Sequence, residues 1–319
     1  MSKSSSKQTV FIIGATGVTG TSIVDGLLES GKYHVVIGVR PASLSKPEVL
    51  KFQERGVEVR ALELTDAPEK LDTALQGVDT VIFAATYTEI DKQPRLADAA
   101  KRAGVKRFIP DDWASPCERG VRKMYDQKIA VQDYIKSIGL GYTFIDVGMW
   151  TSLSLPADTE QSQDTFLPSL SHKISGSGDV KCANTHIPDI GKFVAEIIGD
   201  ARTLNQYVFC YGDQKSQKEL WDIARKVKLE LTGEPLKATP KYESAEEVLE
   251  KVKNAKDGSM EQIGIEYILS LAVRGDCTIE NAKKPEFGGA LDARELYPHL
   301  KVATVEEVAR TLYASKPSA

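Results

Sequence analysis

Three glycines near the start of the chain have the spacing of a dinucleotide-binding turn. Gly14, Gly17 and Gly20 lie three residues apart in VFIIGATGVTG, between an apolar run and a helical pattern. The first permits a tight turn, the second leaves room for a pyrophosphate beside the backbone, and the third allows a helix to pack closely on a strand. The N–H groups at the start of that helix attract an anion. The predicted cofactor contacts here are Gly14, Thr16, Gly17, Val18, Thr19 and Gly20.

Two basic residues beyond the second predicted strand, residues 34–39, indicate which dinucleotide binds. In NAD-binding proteins an acidic residue near this place accepts a hydrogen bond from the ribose 2′-OH. In NADP-binding proteins an arginine, such as Arg40 here, accommodates the 2′-phosphate. A guanidinium also suits bidentate contact with phosphate. Lys46 supplies a second positive charge in this hypothesis, and the alternative for both residues is an ordinary solvated side chain. The pattern favours NADP.

Further ligand contacts are predicted where other strands end, because ligands of such sheets bind in the crevice at the carboxyl ends of the strands. Ala85 and Thr86 lie at the end of the apolar fourth strand, 78–85, and are assigned to the cofactor. Met149 and Trp150 come shortly after the sixth predicted strand, 142–147, and are assigned to the substrate.

The segment PDDWASP, residues 110–116, follows the fifth predicted strand, where catalytic and substrate groups collect. Two adjacent carboxylates point in different directions, so at most one of Asp111 and Asp112 is expected to face the cleft. Asp112 is the catalytic candidate, and Asp111 and Trp113 are substrate candidates. Trp113 either stacks on an aromatic substrate or fills the junction between the lobes.

A lysine in the helix predicted over residues 124–138 is the main catalytic candidate. An ammonium group beside a cationic nicotinamide, in a largely closed pocket, is expected to have a lowered pKa and to exchange a proton as a general acid or base. Lys128 has this role in our hypothesis and also contacts the cofactor; the alternative is a surface lysine. Tyr125 shares a helix face with it at i,i+3 and either contributes a phenol or is structural.

These residues need a parallel sheet to bring them together. Apolar runs alternate with helical patterns through the first half of the chain, which predicts right-handed βαβ crossovers. The third strand, 57–64, alternates apolar and charged residues as an edge strand does, whereas the fourth is apolar throughout and predicted to be buried on both faces. The fold class predicted is α/β, a doubly wound parallel Rossmann sheet over residues 1–150.

The second half of the chain, residues 151–319, is predicted to be a smaller mixed α/β substrate-binding region that partly returns to the Rossmann domain. Residues 152–179 are rich in Ser, Pro, Gly and Asp, which is typical of loops and suits a substrate lid. Residues 263–273 are apolar and are expected to line a pocket.

Composition excludes several classes of partner. The 319 residues include 41 Lys+Arg and 45 Asp+Glu, a net charge of −4 that does not indicate a nucleic-acid surface. No apolar run reaches the length of a spanning helix, and MSKSSSKQ lacks the apolar region of a secretory signal, so we predict a disordered lead, no membrane partner and a cytoplasmic location. The four cysteines and four histidines are scattered, which predicts free thiols and no metal.

The whole chain resembles the NmrA-like and isoflavone reductase-like group of atypical short-chain dehydrogenases, which includes phenylcoumaran benzylic ether reductases. The resemblance covers nearly everything except residues 150–180 and implies a doubly wound NADP domain with a smaller C-terminal substrate domain. It rests on GATGVTG, Arg40, FIPDDWAS, Lys128 upstream of GLGYT, HIPDIGKFVAEIIGDARTLNQ (186–206), SQKELWDIA (216–224) and ELYPHLKVATVEEVARTLY (295–313).

The resemblance also bears on single residues. In the plant reductases the equivalent helix carries a lysine that points into the nicotinamide cleft, which implies the same for Lys128, whereas that group lacks the tyrosine at position 125. The DDW of this chain replaces a plant Ser-Glu-Phe and is more similar to fungal NmrA-like proteins.

Three functions follow as hypotheses. The first is an NADPH-dependent reductase of an aromatic or alkaloid-like small molecule in secondary metabolism, which passes hydride to a quinone methide, enone or imine. The second is a non-redox enzyme that keeps the NADP site and uses the Asp111–Asp112 pair to steer a cationic iminium. The third is a redox-sensing regulator that acts through partner proteins. Substrate identity is expected to depend on residues 150–180 and 260–275, and a homodimer is left open.

Overall fold

The computed structural model describes residues 7–158 and 171–314 and divides the chain into two compact units. The first comprises the described residues up to Trp113, together with Asp126–Ile145 and Ile190–Val208. The second comprises the rest. Most of the predicted N-terminal lead and residues 159–170 of the predicted lid lie outside the described residues. The predicted ligand-binding roles of residues 1–150 and 151–319 stay a prediction.

Strands alternate with helices through the first half of the chain, as the sequence predicted. The strands are β1 (Gln8–Ile13), β2 (Tyr33–Val39), β3 (Glu58–Ala61), β4 (Thr80–Phe83), β5 (Arg107–Ile109), β6 (Thr143–Asp146), β7 (Met149–Trp150), β8 (Lys173–Ser175), β9 (Lys181–Thr185), β10 (Gln206–Phe209), β11 (Asp213–Ser216), β12 (Lys241–Glu243) and β13 (Leu291–Asp292).

The α-helices of the described residues include three short ones of one turn each. They are α1 (Val18–Ser30), α2 (Pro47–Glu54), α3 (Pro68–Ala74), α4 (Gln93–Arg102), α5 (Lys123–Ser137), α6 (Thr151–Ser154), α7 (Ile187–Ile197), α8 (Gln217–Thr232), α9 (Ala245–Asn254), α10 (Met260–Ile268), α11 (Ile279–Ala282), α12 (Ala293–Leu296) and α13 (Val305–Ala314). A π-helical segment, Leu269–Arg274, continues directly from α10.

The first unit contains a five-stranded parallel sheet in the order β3-β2-β1-β4-β5. Val10 of β1 pairs with Val35 of β2 on one side and with Thr80 of β4 on the other. The order reverses between β1 and β4, so ligands of this sheet type bind at the carboxyl ends of these strands. The doubly wound α/β prediction is confirmed, with β3 at the edge and β4 buried along its whole length.

The sixth predicted strand differs from its expected place in this sheet. In the described residues β6 belongs to a separate sheet, β13-β10-β6, and β5 forms one isolated parallel bridge, between Phe108 and Tyr142, the residue before β6. The reason lies in β5, which has three residues before Pro110. Proline has no N–H to donate to a neighbouring strand, and the backbone then turns at Trp113, whose φ is +28°.

Two glycines allow helices α1 and α7 of the first unit to pack backbone against backbone. A Cβ at Gly26 would lie 2.2 Å from the carbonyl carbon of Gly191, and a Cβ at Gly191 would lie 1.8 Å from the backbone oxygen of Ser22. The Gly191 N–H donates to Ser22 Oγ at 3.0 Å. This close approach explains the glycine in HIPDIG and fixes α7 beside the helix that follows the glycine turn.

The second unit contains a small three-stranded sheet in the order β11-β9-β7. Its long helix α8 begins with a capping box, in which Ser216 Oγ accepts from the Glu219 N–H and Glu219 Oε2 accepts from the Ser216 N–H. The apolar faces of α8 and α13 form a core cluster, in which Ala224 and Val305 are fully buried. In the part of the chain that the structure describes, no helix is long and apolar enough to cross a membrane.

Candidate cofactor and catalytic site

The glycine turn of the first unit has a shape that only glycine permits at two of its three positions. Gly14 has a φ of +81°, and a Cβ there would lie 2.3 Å from Ala84 O at the end of β4. A Cβ at Gly20 would lie 2.1 Å from Gly14 O, so this glycine allows α1 to approach β1. Gly17 donates its N–H to Gly14 O at 3.0 Å and closes the turn.

The start of α1 suits a pyrophosphate. The first N–H groups of any α-helix have no partner within the helix, and here they belong to Val18, Thr19 and Gly20. No acidic residue occupies this first turn. Thr16, Gly17 and Val18 are exposed, whereas Thr19 and Gly20 are buried. The turn therefore presents backbone donors and little side-chain bulk, which fits the phosphates of a dinucleotide.

Arg40 follows β2 directly and is exposed, as is Lys46 six residues later. A 3₁₀ turn, Pro41–Ser43, joins them. Within residues 7–158 and 171–314 neither side chain takes part in an ion pair. β2 neighbours β1 in the sheet, so the two cations lie beside the glycine turn on the side away from β4. This arrangement fits the phosphate on an adenosine ribose.

Ala85 and Thr86 lie next to the turn because β4 is the other neighbour of β1. The backbone at Ala84 and Ala85 comes so close to Gly14 that a Cβ there would lie 2.6 Å from Ala85 N. Thr86 is exposed, and its hydroxyl is 2.6 Å from that of Thr88. Ala85 and Thr86, the two residues predicted to contact the cofactor here, therefore follow the carboxyl end of β4, next to the glycine turn.

Lys128 is buried, so the surface-lysine alternative is wrong. Its Nζ donates to the backbone oxygen of Asp112 at 2.6 Å and lies 3.7 Å from Asp111 Oδ2. The side chains of Lys128 and Asp111 are each 8% exposed. An ammonium group is therefore fixed at the carboxyl end of β5, with a carboxylate beside it.

Burial raises the pKa of the Asp111 carboxyl, and the positive charge of Lys128 opposes that rise. The Asp112 carboxylate contacts a different side chain: its Oδ1 accepts a hydrogen bond from Gln132 Nε2 at 3.0 Å. The two carboxylates therefore have different partners, as expected for adjacent residues.

Trp113 holds the segment after β5 against β4. Its indole Nε1 donates to Phe83 O at 2.7 Å, and 7% of the residue is exposed. The Asp111 N–H donates to Gln93 Oε1 at 2.8 Å. Sequence reasoning missed Gln93 and Gln132. Gln132 carried a signal, since it lies one helical turn after Lys128, whereas nothing near Gln93 in the sequence indicated its contact.

The predicted groups of the first unit collect at one sheet edge. The glycine turn, Thr86 and the Lys128–Asp111 pair lie at the ends of β1, β4 and β5, which are neighbours in that order. Neighbouring strands are about 4.8 Å apart, so β1 and β5 are separated by about 10 Å. A dinucleotide with its pyrophosphate on α1 has room to extend along this edge.

Tyr125, Met149 and Trp150 belong to the second unit. The Tyr125 hydroxyl donates to Asp146 Oδ2 at 3.3 Å, and its ring lies 4.9 Å from the guanidinium of Arg122. The structure thus gives Tyr125 partners other than the Lys128 ammonium. Trp150 is half-buried and precedes α6.

The second unit has a cavity that is partly open to solvent. Part of the predicted apolar segment 263–273 lines it, as the sequence indicated, and so does Met149. The lining residues are Met149, Ser154, Ser171, Lys173, Val180, Cys182, Asn184, Lys215, Gln217, Leu220, Trp221, Ile268, Leu271 and Ala272.

A doubly wound sheet with a glycine turn at its switch point defines a nucleotide-binding α/β protein. The chain belongs to the NmrA-like family, which it matches over residues 6–309. It is 37% identical over 313 residues to asnovolin J 5′,6′-dehydrogenase of Aspergillus novofumigatus (strain IBT 16806), with 93% of each chain covered. It is 30% identical over 314 residues to an isoflavone reductase-like protein of Olea europaea, with 94% of this chain and 97% of the relative covered.

A solved structure of this fold comes from Vitis vinifera. The binary complex of its leucoanthocyanidin reductase with NADPH has a TM-score of 0.76 and 22% identity to this chain, and covers 96% of this chain and 100% of the reductase. The family predicted from the sequence is therefore confirmed, as is the fold.

Proposed function

We propose that the protein is an NADPH-dependent reductase of an aromatic or alkaloid-like small molecule in secondary metabolism. The observation that carries the proposal is the buried Lys128 ammonium at the end of β5, on the same sheet edge as the glycine turn. Relatives named as a dehydrogenase and as isoflavone reductase-like, over almost their whole length, support an oxidoreductase.

NADP is the proposed cofactor. The first-turn amides of α1 bind its pyrophosphate, Gly14 and Gly17 leave space for it, and Arg40 and Lys46 bind the 2′-phosphate. The reductase of Vitis vinifera with the same fold forms a complex with NADPH. The cofactor supplies a hydride when bound.

Lys128 supplies the proton in this proposal. Reduction of a quinone methide, enone or imine needs one hydride at carbon and one proton at the oxygen or nitrogen that gains the electron pair. The Asp112 carbonyl orients Nζ, and Asp111 at 3.7 Å stabilises the ammonium form. Asp112 stays a predicted catalytic residue, and Tyr125 stays open between a catalytic phenol and a structural one. Asp111, Trp113, Met149 and Trp150 stay predicted substrate contacts.

The test is NADPH oxidation against a panel of quinones, enones and imines, with Lys128→Met and a matched control, Lys136→Met, from an exposed position of the same helix. General acid–base catalysis is worth about 10²–10⁴ in rate. We expect Lys128→Met to lower kcat by a factor in that range and Lys136→Met to leave it unchanged.

Each other outcome has a clear meaning. Turnover that survives Lys128→Met removes the role of Lys128. Tight NADPH binding with no oxidation of any compound contradicts the reductase and favours the non-redox enzyme or the regulator, two hypotheses that the sequence also allowed.

We also propose a cytosolic location, which the four free cysteines support, because thiols persist in a reducing compartment. A homodimer is a further proposal, and sedimentation equilibrium at micromolar concentration tests it directly.

A further inference from the structure

The floor of the cavity in the second unit is one face of the sheet β11-β9-β7. Side chains alternate between the two faces of a strand, so Cys182 and Asn184 of β9 lie on the same face, and both line the cavity. Asn184 pairs with Met149 of β7, and Cys182 pairs with Lys215 of β11. Three strands that are far apart in sequence thus build one surface.

Asn184, on the floor of the cavity, has a buried side-chain acceptor without a hydrogen-bond donor in the described residues. The residue is 1% exposed, and its Nδ2 donates to Cys182 O at 2.8 Å. Its Oδ1 is buried and has no hydrogen-bond partner among the residues that the structure describes. Leaving a buried acceptor unpaired has a free-energy cost. A ligand hydroxyl that donates to Oδ1 removes this cost.

The walls of the cavity are apolar. Leu220 and Trp221 come from α8, and Leu271 and Ala272 come from the π-helical segment. π-Helical turns are rare and occur frequently at functional sites. The indole of Trp221 is part of this lining, and small-molecule sites are lined mainly by apolar and aromatic side chains around a few polar groups. The walls therefore suit an aromatic ring system.

The charges that line the cavity are positive. Lys173 and Lys215 contribute ammonium groups, and no Asp or Glu is among the lining residues within the described ranges. Lys215 Nζ pairs with Asp213 at 2.9 Å. Lys173 forms no ion pair in the described part of the chain, since the nearby carboxylate of Glu243 binds Lys251 and Ser175. Among the described lining residues a cationic ligand meets no counter-charge, whereas an anion does.

We propose that this cavity binds a hydroxylated aromatic carboxylate, whose hydroxyl donates to Asn184 Oδ1 and whose carboxylate is held by Lys173. The inference rests on the proposed function where it takes this ligand as the substrate. It narrows the substrate class from aromatic or alkaloid-like compounds to hydroxylated acids.

The experiment is calorimetric titration of the whole protein, without NADPH, with three naphthalene probes. They are 6-hydroxy-2-naphthoate, 2-naphthoate, which lacks the hydroxyl, and methyl 6-hydroxy-2-naphthoate, which lacks the charge. We expect the hydroxy acid to bind about tenfold more tightly than either analogue, which corresponds to about 1.4 kcal/mol for each contact.

Variants assign each preference to one residue. In Asn184→Ala we expect the hydroxy acid and 2-naphthoate to bind equally, and in Lys173→Met the hydroxy acid and its ester. Each comparison is made within one variant, so a general loss of stability does not imitate the result. Lys226→Met, an exposed lysine of α8 outside the cavity lining, is the control and keeps both preferences.

Two results overturn the inference: equal affinity for all three probes in the wild type, or no binding of any probe at millimolar concentration. The proposed function fails separately. Probe binding with the expected preferences, together with no NADPH oxidation, supports the cavity and contradicts the reductase. Turnover of quinones or imines without binding of the hydroxy acid overturns only this inference.

Discussion

At the scale of single residues, the most consequential feature is the buried pair Lys128–Asp111. Removing two charges from water is costly, and their attraction offsets this only when further hydrogen bonds satisfy both groups. The Asp112 carbonyl satisfies one N–H of Lys128. Loss of either partner leaves an uncompensated charge, so we expect removal of one partner to lower the stability of the fold.

Asp111→Asn tests the electrostatics of this pair through pH. The folded-state pKa of Asp111 is raised by burial, so the folded protein holds this proton more tightly than the unfolded chain. The resulting stabilisation is complete below the unfolded pKa of about 3.9 and is lost as pH rises through the folded pKa. We therefore expect wild type to lose stability relative to Asp111→Asn as pH rises from about 4. Urea unfolding at pH 4, 5, 6 and 7 measures the difference, and a difference that stays constant contradicts the raised pKa.

Tyr125→Phe distinguishes a catalytic phenol from a structural one. Because the hydroxyl donates to Asp146, we expect the variant to lose about 1 kcal/mol of stability. We also expect kcat for NADPH oxidation to stay within about threefold of wild type, a change far below that of general acid–base catalysis. A loss of about a hundredfold in kcat, with NADPH affinity unchanged, instead makes Tyr125 catalytic.

At the scale of elements, the turn between β1 and α1 combines a conformational requirement with a steric one. Gly14 needs a positive φ, and it also lies against the end of β4. β2 ends at Val39, so Arg40 is the first residue after the strand. In the proposed function, cofactor binding and cofactor choice therefore depend on two neighbouring strand ends.

Gly14→Ala separates the two requirements when it is compared with Gly31→Ala. Gly31, the C-cap of α1, has a φ of +65°, but a Cβ there meets nothing within 4 Å. The left-handed backbone costs about 1–2 kcal/mol in both variants, whereas only Gly14→Ala adds a clash with Ala84 O. Urea unfolding and NADPH titration should show a larger loss of stability for Gly14→Ala, and a loss of NADPH affinity for that variant alone. Equal effects contradict the close approach to β4.

Arg40→Ser tests the choice of cofactor. A hydrogen bond to a charged group contributes about 1.5–3 kcal/mol, so we expect NADPH affinity to fall about 10- to 100-fold while NADH affinity stays unchanged. Lys51→Ser, at an exposed position of α2, is the control. Equal losses for both nucleotides contradict a contact between Arg40 and the 2′-phosphate.

At the scale of the whole molecule, the two units interleave along the chain. Ile190–Val208 returns to the first unit after a long excursion into the second, and the close contact of Gly191 with α1 shows why this return is tight. A ligand that binds only the folded protein stabilises it in proportion to the logarithm of its concentration.

Binding of NADPH is therefore expected to raise the free energy of unfolding of the protein. NADPH at a hundred times its Kd raises the free energy of unfolding by about 2.7 kcal/mol. Urea unfolding with and without NADPH measures this, and NADH at the same concentration should give less. The absence of any NADPH effect contradicts the proposed cofactor.

The family, the α/β class and the alternation of strands and helices through the first half of the chain could be predicted from the sequence, because these depend on local signals. Glycine spacing specifies the turn, the apolar period separates strands from helices, and Arg40 is found by its distance from that turn. The predicted helix over residues 124–138 agrees with α5 to within one residue at each end. Such features can be predicted from the sequence because each involves residues that are near one another in the chain.

The contacts between side chains could not be predicted from the sequence, because they depend on how the elements pack in the folded chain. From the sequence, Lys128 could be a surface lysine or a buried one, and its contact with the Asp112 carbonyl distinguishes the two. The cavity floor, where Asn184 lies beside Met149, is assembled from strands far apart in sequence. Periodicity reports which face of an element is buried but not which element covers it, so the identity of each partner is a property of the folded chain.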